Sequence, residues 1–335
     1  MCSKSEDRSR GGFQIHPYKN WDGNNAMIDI SEKLDTLREA TAEAAIRARP
    51  ETIDMVKSGN VPKGNVLEMA RAAGILGAKK TSELIPFCHQ VPLDWVSVDF
   101  EIGEKIVIRT QAKAIWKTGV EMEALTAASI AALTVYDMLK PIDDSLEITS
   151  LKLIEKRGGK GEWMQHFKPP LRAAVLVLSD TVSQGKKEDR SGRIIVERLK
   201  KEPVEVVEYK IFPDDFDVIK RELIRLSDEE GADLILTTGG TGLSPKDVTV
   251  DATKTVIQRE VPGISEAARI YGFQRTPYAM LSRETAGVRG KTIIINLPGS
   301  SRGVAESMDA LFPWVLHAFH VLRGGGHEKK SGKEW

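Results

Sequence analysis

Apolar residues in the first half of the chain recur with two different periods. REATAEAAI (38–46) alternates Glu39, Thr41 and Glu43 against Ala40, Ala42 and Ala44, which predicts a strand although alanine favours helix. Residues 64–80 place apolar side chains at helical spacing and predict an amphipathic helix. WVSVDFEI (95–102) alternates, GEK turns, and IVIRTQAKAI (106–115) alternates back, a hairpin pattern. An alanine-rich helix over 120–140 and a strand over LEITSLKLIEK (146–156) complete this half. Strand, helix, hairpin, helix, strand is the order of an α+β, ferredoxin-like unit.

The pattern changes after HFKPPLR (166–172), a basic stretch with two prolines and no periodicity. RAAVLVLSD (172–180), VEVVEYKIF (204–212), DLILTT (233–238) and TIIINLPG (292–299) read as strands. GRIIVERLKKE (192–202), FDVIKRELIRLSDEEG (216–231) and GVAESMDALFPWVLHAFHVL (303–322) read as helices between and after them. This alternation predicts a doubly wound, mostly parallel α/β sheet. Such sheets bind ligands beyond the carboxyl ends of their strands. Those ends carry Ser179 and Asp180, Pro213 and Asp214, Gly239, Gly240, Thr241 and Gly242, and Pro298, Gly299 and Ser300. The expected division is 14–163, a linker at 164–171, 172–323, and a polar tail at 324–335.

Composition narrows the function classes. A length of 335 residues suits two domains of roughly 150 residues each. The 48 basic and 48 acidic residues balance, which speaks against a nucleic-acid coat or a membrane-surface protein. Two cysteines, Cys2 and Cys88, cannot build a disulfide framework and point to a reducing compartment. The polar first 26 residues lack the apolar core of a signal peptide, and runs such as AAVLVL are strand-sized. The expectation is a cytoplasmic globular protein that binds neither membrane nor nucleic acid.

Two stretches carry chemistry. The helix VEMEALTAASIAALTVYDMLKP (120–141) ends with Asp137 and Lys140, three apart on one face, before Pro141. A carboxylate there faces the negative end of the helix dipole. The pair is either a surface ion pair of little value or part of a site. TTGGTGLSPKDVTVDAT (237–253) follows a buried strand, and its glycines let backbone N–H groups turn toward a phosphate. It lacks the GK[ST] of a Walker loop and any GxGxxG. Asp247 and Asp251 beside such a cradle suit a bridging Mg²⁺, or Asp251 is simply a helix N-cap. Cys88-His89 has no second ligand pair, and His317 and His320 fit a surface or an interface better than a metal.

The C-terminal half resembles the molybdopterin adenylyltransferase family of the MogA/MoaB type over residues 171–323. The resemblance rests on SDTVSQGKKEDRSG (179–192), PDD (213–215), the 237–253 stretch and LSRETAGVRGKTIIINLPGS (281–300), which keep order and spacing. It implies a molybdopterin-binding fold and transfer of AMP from Mg-ATP to molybdopterin, with release of pyrophosphate. It also implies that Asp214 and Asp247 are the essential acids and hold Mg²⁺. The Gly239–Gly242 loop, Ser179, Asp180, Ser282 and Pro298–Ser300 would line the site. Lys246 and Val250 stand where the family more often has Arg and Pro. Some family members keep the fold without adenylylating, so a purely molybdopterin-binding or scaffolding C-terminal half is the alternative.

The N-terminal half resembles cyclic pyranopterin monophosphate synthase of the MoaC type over about residues 14–163. MIDIS (27–31), VPKGNVLEMARAAGILGAKKT (61–81), LIPFCHQ (84–90), KTGVEMEALTAASIAALTVYDMLK (117–140) and KRGGKGEW (156–163) carry the likeness. It implies conversion of (8S)-3',8-cyclo-7,8-dihydroguanosine 5'-triphosphate to cyclic pyranopterin monophosphate and pyrophosphate. Asp137 and Lys140 would handle protons and Lys63 would transfer a proton or stabilise phosphate, with a lysine made less basic by its neighbours as an acid. Phe87, Cys88, His89, Glu121, Met122 and Glu123 would contact substrate, and Lys160 a phosphate. Asn65 replaces a common Asp, and Gly161 a Ser. Both families imply small pterin and nucleotide substrates, no tightly bound organic cofactor, and a homo-oligomer, trimer or hexamer.

Overall fold

A computed structural model of the chain describes residues 27–159, 162 and 164–324. The N-terminal stretch expected to lack a signal peptide, Lys160, Gly161 and the tail with His327 lie outside the described residues.

The N-terminal unit runs β1 (Thr36–Arg47), α1 (Pro50–Ser58), α2 (Val66–Lys79), α3 (Thr81–Leu84), β2 (Trp95–Ile102), β3 (Ile106–Trp116), α4 (Glu121–Leu139) and β4 (Glu147–Arg157). Its strands form one antiparallel sheet in the order β2-β3-β1-β4. The alternation of β1 decides its conformation over alanine's propensity. Ala40, Ala42, Ala44 and Ile46 are buried on one face, against Ala124, Ala128, Ala131 and Ala132 of α4. Small side chains on both surfaces let helix and sheet approach closely. On the opposite face Glu39 meets Lys113 at 2.7 Å, and Glu43 meets Arg109 and Lys152 at 3.1 Å each, all directly across the ladder. By length and composition α4 could cross a membrane, but its apolar side is the core of this unit.

The second unit comprises β5 (Leu171–Leu178), α5 (Asp180–Ser183), α6 (Ser191–Leu199), β6 (Val204–Phe212), α7 (Phe216–Ile224), β7 (Leu234–Thr238), α8 (Thr249–Val256), β8 (Arg259–Glu260), α9 (Pro262–Phe273), β9 (Ala286–Arg289), β10 (Thr292–Leu297), α10 (Ser301–Leu311) and α11 (Ala318–Leu322). Its sheet order is β6-β5-β7-β10-β9-β8. The first four strands are parallel; β9 and β8 add an antiparallel edge, so the sheet is mixed. Helices cover both faces. Val175, Leu236 and Ile295 pack with Ile195 of α6 and Met308 of α10, whereas Leu176, Ile235 and Ile294 pack with Ile219 of α7 and Val256 of α8. Each such fully buried side chain contributes about 1.5–3 kcal/mol relative to exposure.

Three sequence expectations change. The closing helix over 303–322 is two helices, because Pro313 removes a helical N–H and drives Phe312 to an extended ψ of 136°. The strand expected to reach Asp180 ends at Leu178, and Ser179 caps a short helix through its bond from the Val182 N–H at 3.4 Å. Phe167, placed in the linker, is a core residue edge-on to Phe319 at 6.3 Å.

Candidate functional sites at the two helix and strand ends

At the C-terminal end of α4, Asp137 is held between two lysines. Lys63 donates to its Oδ2 at 3.0 Å and to its backbone oxygen at 2.7 Å, and Lys140 reaches Oδ1 at 2.7 Å. Asn65 brings Lys63 there by capping α2, accepting from the Glu68 N–H at 3.2 Å. The two ammonium groups answer the unfavourable helix dipole at Asp137. Lys140 first, then Lys63, holds the Asp137 carboxyl below its usual range. The reciprocal effect raises Lys140. For Lys140 this runs opposite to the expectation of a lysine made less basic: beside an ionised aspartate, its ammonium is stabilised.

The other N-terminal candidates gather at the opposite end of α4. Glu123 is buried, and burial first, then Glu121, pushes its carboxyl up to about 7. Cys88 stays a thiol, raised by burial and by Glu123. His89 Nε2 lies 2.7 Å from the Ile28 oxygen, and Phe87 and Met122 are exposed. Glu121 pairs with Lys156 at 3.0 Å. The sixteen residue-to-residue steps from Glu121 to Asp137 span about 24 Å of helix. One chain therefore does not bring Asp137, Lys140 and Lys63 together with Phe87–His89 and Glu121–Glu123.

Sequence reading missed Arg38. Its Nε donates to the Trp116 oxygen at 3.1 Å, and burial first lowers its pKa while Glu121 counters. Period two puts Arg38 in phase with Ala40, Ala42 and Ala44, and a cation at a core phase was the available signal. Glu123 is likewise in helical phase with buried Ala127 and Ala131.

In the second unit the strand order reverses between β5 and β7, and the candidates meet at the carboxyl ends there. The Asp180 N–H donates to Asp214 Oδ2 at 3.1 Å, and the Asp214 N–H to Asp180 Oδ1 at 3.2 Å. Asp214 Oδ1 is buried without a partner among the described residues. Burial first, with Asp180 and Asp247 adding, raises the Asp214 carboxyl, and Lys246 opposes this from 3.9 Å off Asp180. Asp247 accepts from the Ser244 N–H at 2.8 Å. Gly239 and Gly240 have φ of 106° and 63°. A side chain at Gly239 would collide with the Leu178 oxygen; one at Gly240 would collide with Thr249 Oγ1 and come 3.3 Å from Asp214 Oδ1. Glycine thus keeps the backbone against Asp214. An orphaned carboxylate oxygen among three aspartates suits a hard cation with oxygen ligands. Among the described residues no cluster of three or more His, Cys, Asp or Glu is pre-arranged for metal. Asp251 is not an N-cap; it pairs with Arg283 at 2.5 Å, and Val248 holds the cap position of α8.

Ser282, Pro298 and Ser300 line a cavity of about 200 Å³ next to this loop. Arg283 ties the two, its N–H donating to the Thr241 oxygen at 2.9 Å. A larger groove of about 1100 Å³ between α6 and β6, lined by Lys187, Arg193, Val206 and Tyr209, holds none of the expected site residues. Size alone does not select the site. His320, expected at a surface or an interface, stacks on Phe167 at 4.8 Å.

Comparison with known proteins bears on both sites. Residues 27–159 match the MoaC family, and residues 174–317 match a family described as "Probable molybdopterin binding domain". A molybdenum cofactor biosynthesis bifunctional protein of Chlorobaculum tepidum is 42% identical over 302 residues, covering 90% of this chain and 96% of that protein. A cyclic pyranopterin monophosphate synthase of Novosphingobium aromaticivorans is 50% identical over 143 residues, 42% of this chain and 91% of its own length. A crystal structure of the molybdopterin biosynthesis enzyme MoaB from Thermus thermophilus is 45% identical, covers 46% of this chain and 97% of that chain, and has a TM-score of 0.44.

Proposed function

The chain belongs to the molybdenum cofactor biosynthesis bifunctional proteins, and we propose that its halves catalyse two separate steps of that synthesis. The N-terminal half rearranges a cyclised dihydroguanosine triphosphate to cyclic pyranopterin monophosphate, releasing pyrophosphate. The C-terminal half transfers AMP from Mg-ATP to molybdopterin. A molybdopterin phosphate oxygen bonds to the α-phosphorus, the α-phosphorus bond to the bridging oxygen breaks, and pyrophosphate leaves. The residue boundaries are those the sequence suggests, and the β2-β3-β1-β4 order supports a ferredoxin-like reading of the first unit.

The observation that carries the reading is Asp137 clasped by Lys63 and Lys140. An ionised aspartate is a base at neutral pH, and the incoming triphosphate competes for the two ammonium groups. Arg38 and Lys156 are the cations assigned to phosphate at the other end of α4, and the sequence adds Lys160 to them. The 24 Å between the ends is closed by a second copy of the chain, which supplies one end of α4 to the other's substrate. Exposed Leu151, Leu153 and Ile154 on β4 suit such an interface. A hexamer satisfies both halves, and a monomer in light scattering would overturn it.

In the second half the magnesium that accompanies ATP would neutralise charge on the transferring phosphates. Asp214 and Asp247 would hold it. The Gly239–Gly242 backbone would position the phosphates, with positioning and charge in place of covalent chemistry. The test is an adenylylation assay with purified protein, molybdopterin and Mg-ATP, beside Asp247→Ala. Adenylylated product that vanishes in the variant supports the transferase. Molybdopterin bound with no product would leave a carrier module joined to one enzyme.

A further inference from the structure

Glu284 is the least expected residue of the second site. It is only 5% exposed, it lines the 200 Å³ cavity with Ser282, Pro298 and Ser300, and its Oε2 has no hydrogen-bond partner among the described residues. A buried, unpaired carboxylate oxygen costs stability and calls for an occupant that supplies donors. The cavity holds a fused two-ring heterocycle and little more. Arg283, between the lining residues Ser282 and Glu284, joins the aspartate-bearing loop by donating its N–H to the Thr241 oxygen.

We infer that Glu284 recognises the amino-pyrimidinone edge of the pterin, its carboxylate accepting from the ring N–H and the adjacent exocyclic amino group. This rests on the molybdopterin reading of the C-terminal half and adds a specificity residue to it. A 2-amino-4-oxo pteridine presents two parallel donors, the geometry that pairs with a carboxylate through two bonds. Adenine presents an acceptor beside its amino group, so the contact also keeps the nucleotide base out of the pterin cavity. A 2,4-dioxo ring replaces the amino donor with an acceptor and leaves one carboxylate oxygen facing a carbonyl.

The surroundings set the pH dependence. Burial pushes Glu284 up to about 7, while Ser282, Arg269 of α9 and Ser307 of α10 pull the other way. Arg269 also donates to the Glu284 backbone oxygen at 2.8 Å, and Arg302 and Glu306 of α10 line the same cavity. Below pH 7 the carboxyl is largely protonated, and a bound donor edge must displace that proton. Pterin affinity therefore rises with pH up to about 7 and then levels. The stability sign is opposite. A carboxyl raised from 4.5 to about 7 contributes stability that is full below pH 4.5 and lost as pH rises through 7.

The experiment titrates molybdopterin into wild type and Glu284→Gln at pH 6 to 8, with pterin and lumazine (the 2,4-dioxo analogue) as competing probes and Mg-ATP binding measured in parallel. Glu284→Gln keeps the shape of the side chain and turns one acceptor oxygen into a donor, and its fold is checked by an unchanged ATP affinity. The expected result is an affinity for molybdopterin lower by about ten- to hundred-fold, a flat pH profile, and loss of wild type's preference for pterin over lumazine. Unchanged affinity or an unchanged pterin preference in the variant, with wild type binding molybdopterin, would overturn the role of Glu284 alone. Wild type that binds ATP and no molybdopterin would overturn the underlying reading as well.

Discussion

Asp137→Asn is expected to lower cyclic pyranopterin monophosphate formation by about 10²- to 10⁴-fold, the usual weight of one acid–base group. The amide keeps the shape of the carboxyl and removes its charge and basicity. Lys140 and Lys63 then lose the group that binds them at 2.7 and 3.0 Å. The side chain of Asp137 is 59% exposed, and solvent screens an ion pair of this kind, so the thermal midpoint should hardly move. Loss of rate with retained stability and retained substrate binding separates a chemical role from a structural one. Because its two lysines depress Asp137, it is ionised throughout the neutral range. An acidic limb in the rate profile near neutrality would therefore belong to another group, and Glu123, pushed up to about 7, is the first to test. Turnover near wild type in Asp137→Asn would refute the assignment.

Asp214→Asn should lower adenylylation by about 10²-fold or more, the scale for removing a pre-organised charge contact in a reacting site. The synthase activity of the other half serves as the internal control and should be unchanged. Stability should move the other way from activity. Burial, then Asp180 and Asp247, raise the Asp214 carboxyl, so its ionised form is disfavoured in the folded state. The stabilising contribution of such a group is present at low pH and lost as pH rises through its folded pKa. Replacing it by the neutral amide removes that penalty. At pH 8 the variant's melting temperature should equal or exceed that of wild type, and the difference should shrink on acidification. A functional site that costs stability gives this pattern. Full adenylylation by the variant, or a fall in stability that grows with pH, would contradict the role given to Asp214.

Much of this was legible before any tertiary information. Hydrophobic period alone placed β2 and β6 at their observed bounds, because alternating and helical patterns report which local face is buried. It also separated an antiparallel unit from an α/β unit. The TTGGTG stretch announced its own geometry, since Gly239 and Gly240 adopt positive φ. Asp137 and Lys140 drew notice as charges at a helix end, Lys63 entered through the family resemblance, and the three proved to be in contact. Asp180, Asp214 and the glycine loop met because the ends of parallel strands converge at the point where strand order reverses.

What the chain could not state locally is how distant segments share space. The antiparallel edge of β9 and β8 rests on pairings such as Arg259 with Val288, almost thirty positions apart. A two-residue strand has no period to read. The break at Phe312–Pro313 was hidden by an unbroken apolar pattern on both sides of it. Glu284 looks like a polar loop residue, and only its burial, with Oε2 unpartnered, marks it as part of a cavity. The motif segments of the N-terminal half suggested one site, yet α4 holds two of its parts about 24 Å apart. Sequence determined the central strands, several of the helices packed on them and the charged groups at their ends, and left α1, α8, α9, β8 and β9 unread. Tertiary structure decided which groups meet, because burial and pairing are set by the summed packing of segments far apart in the chain and not by the local pattern of any one of them.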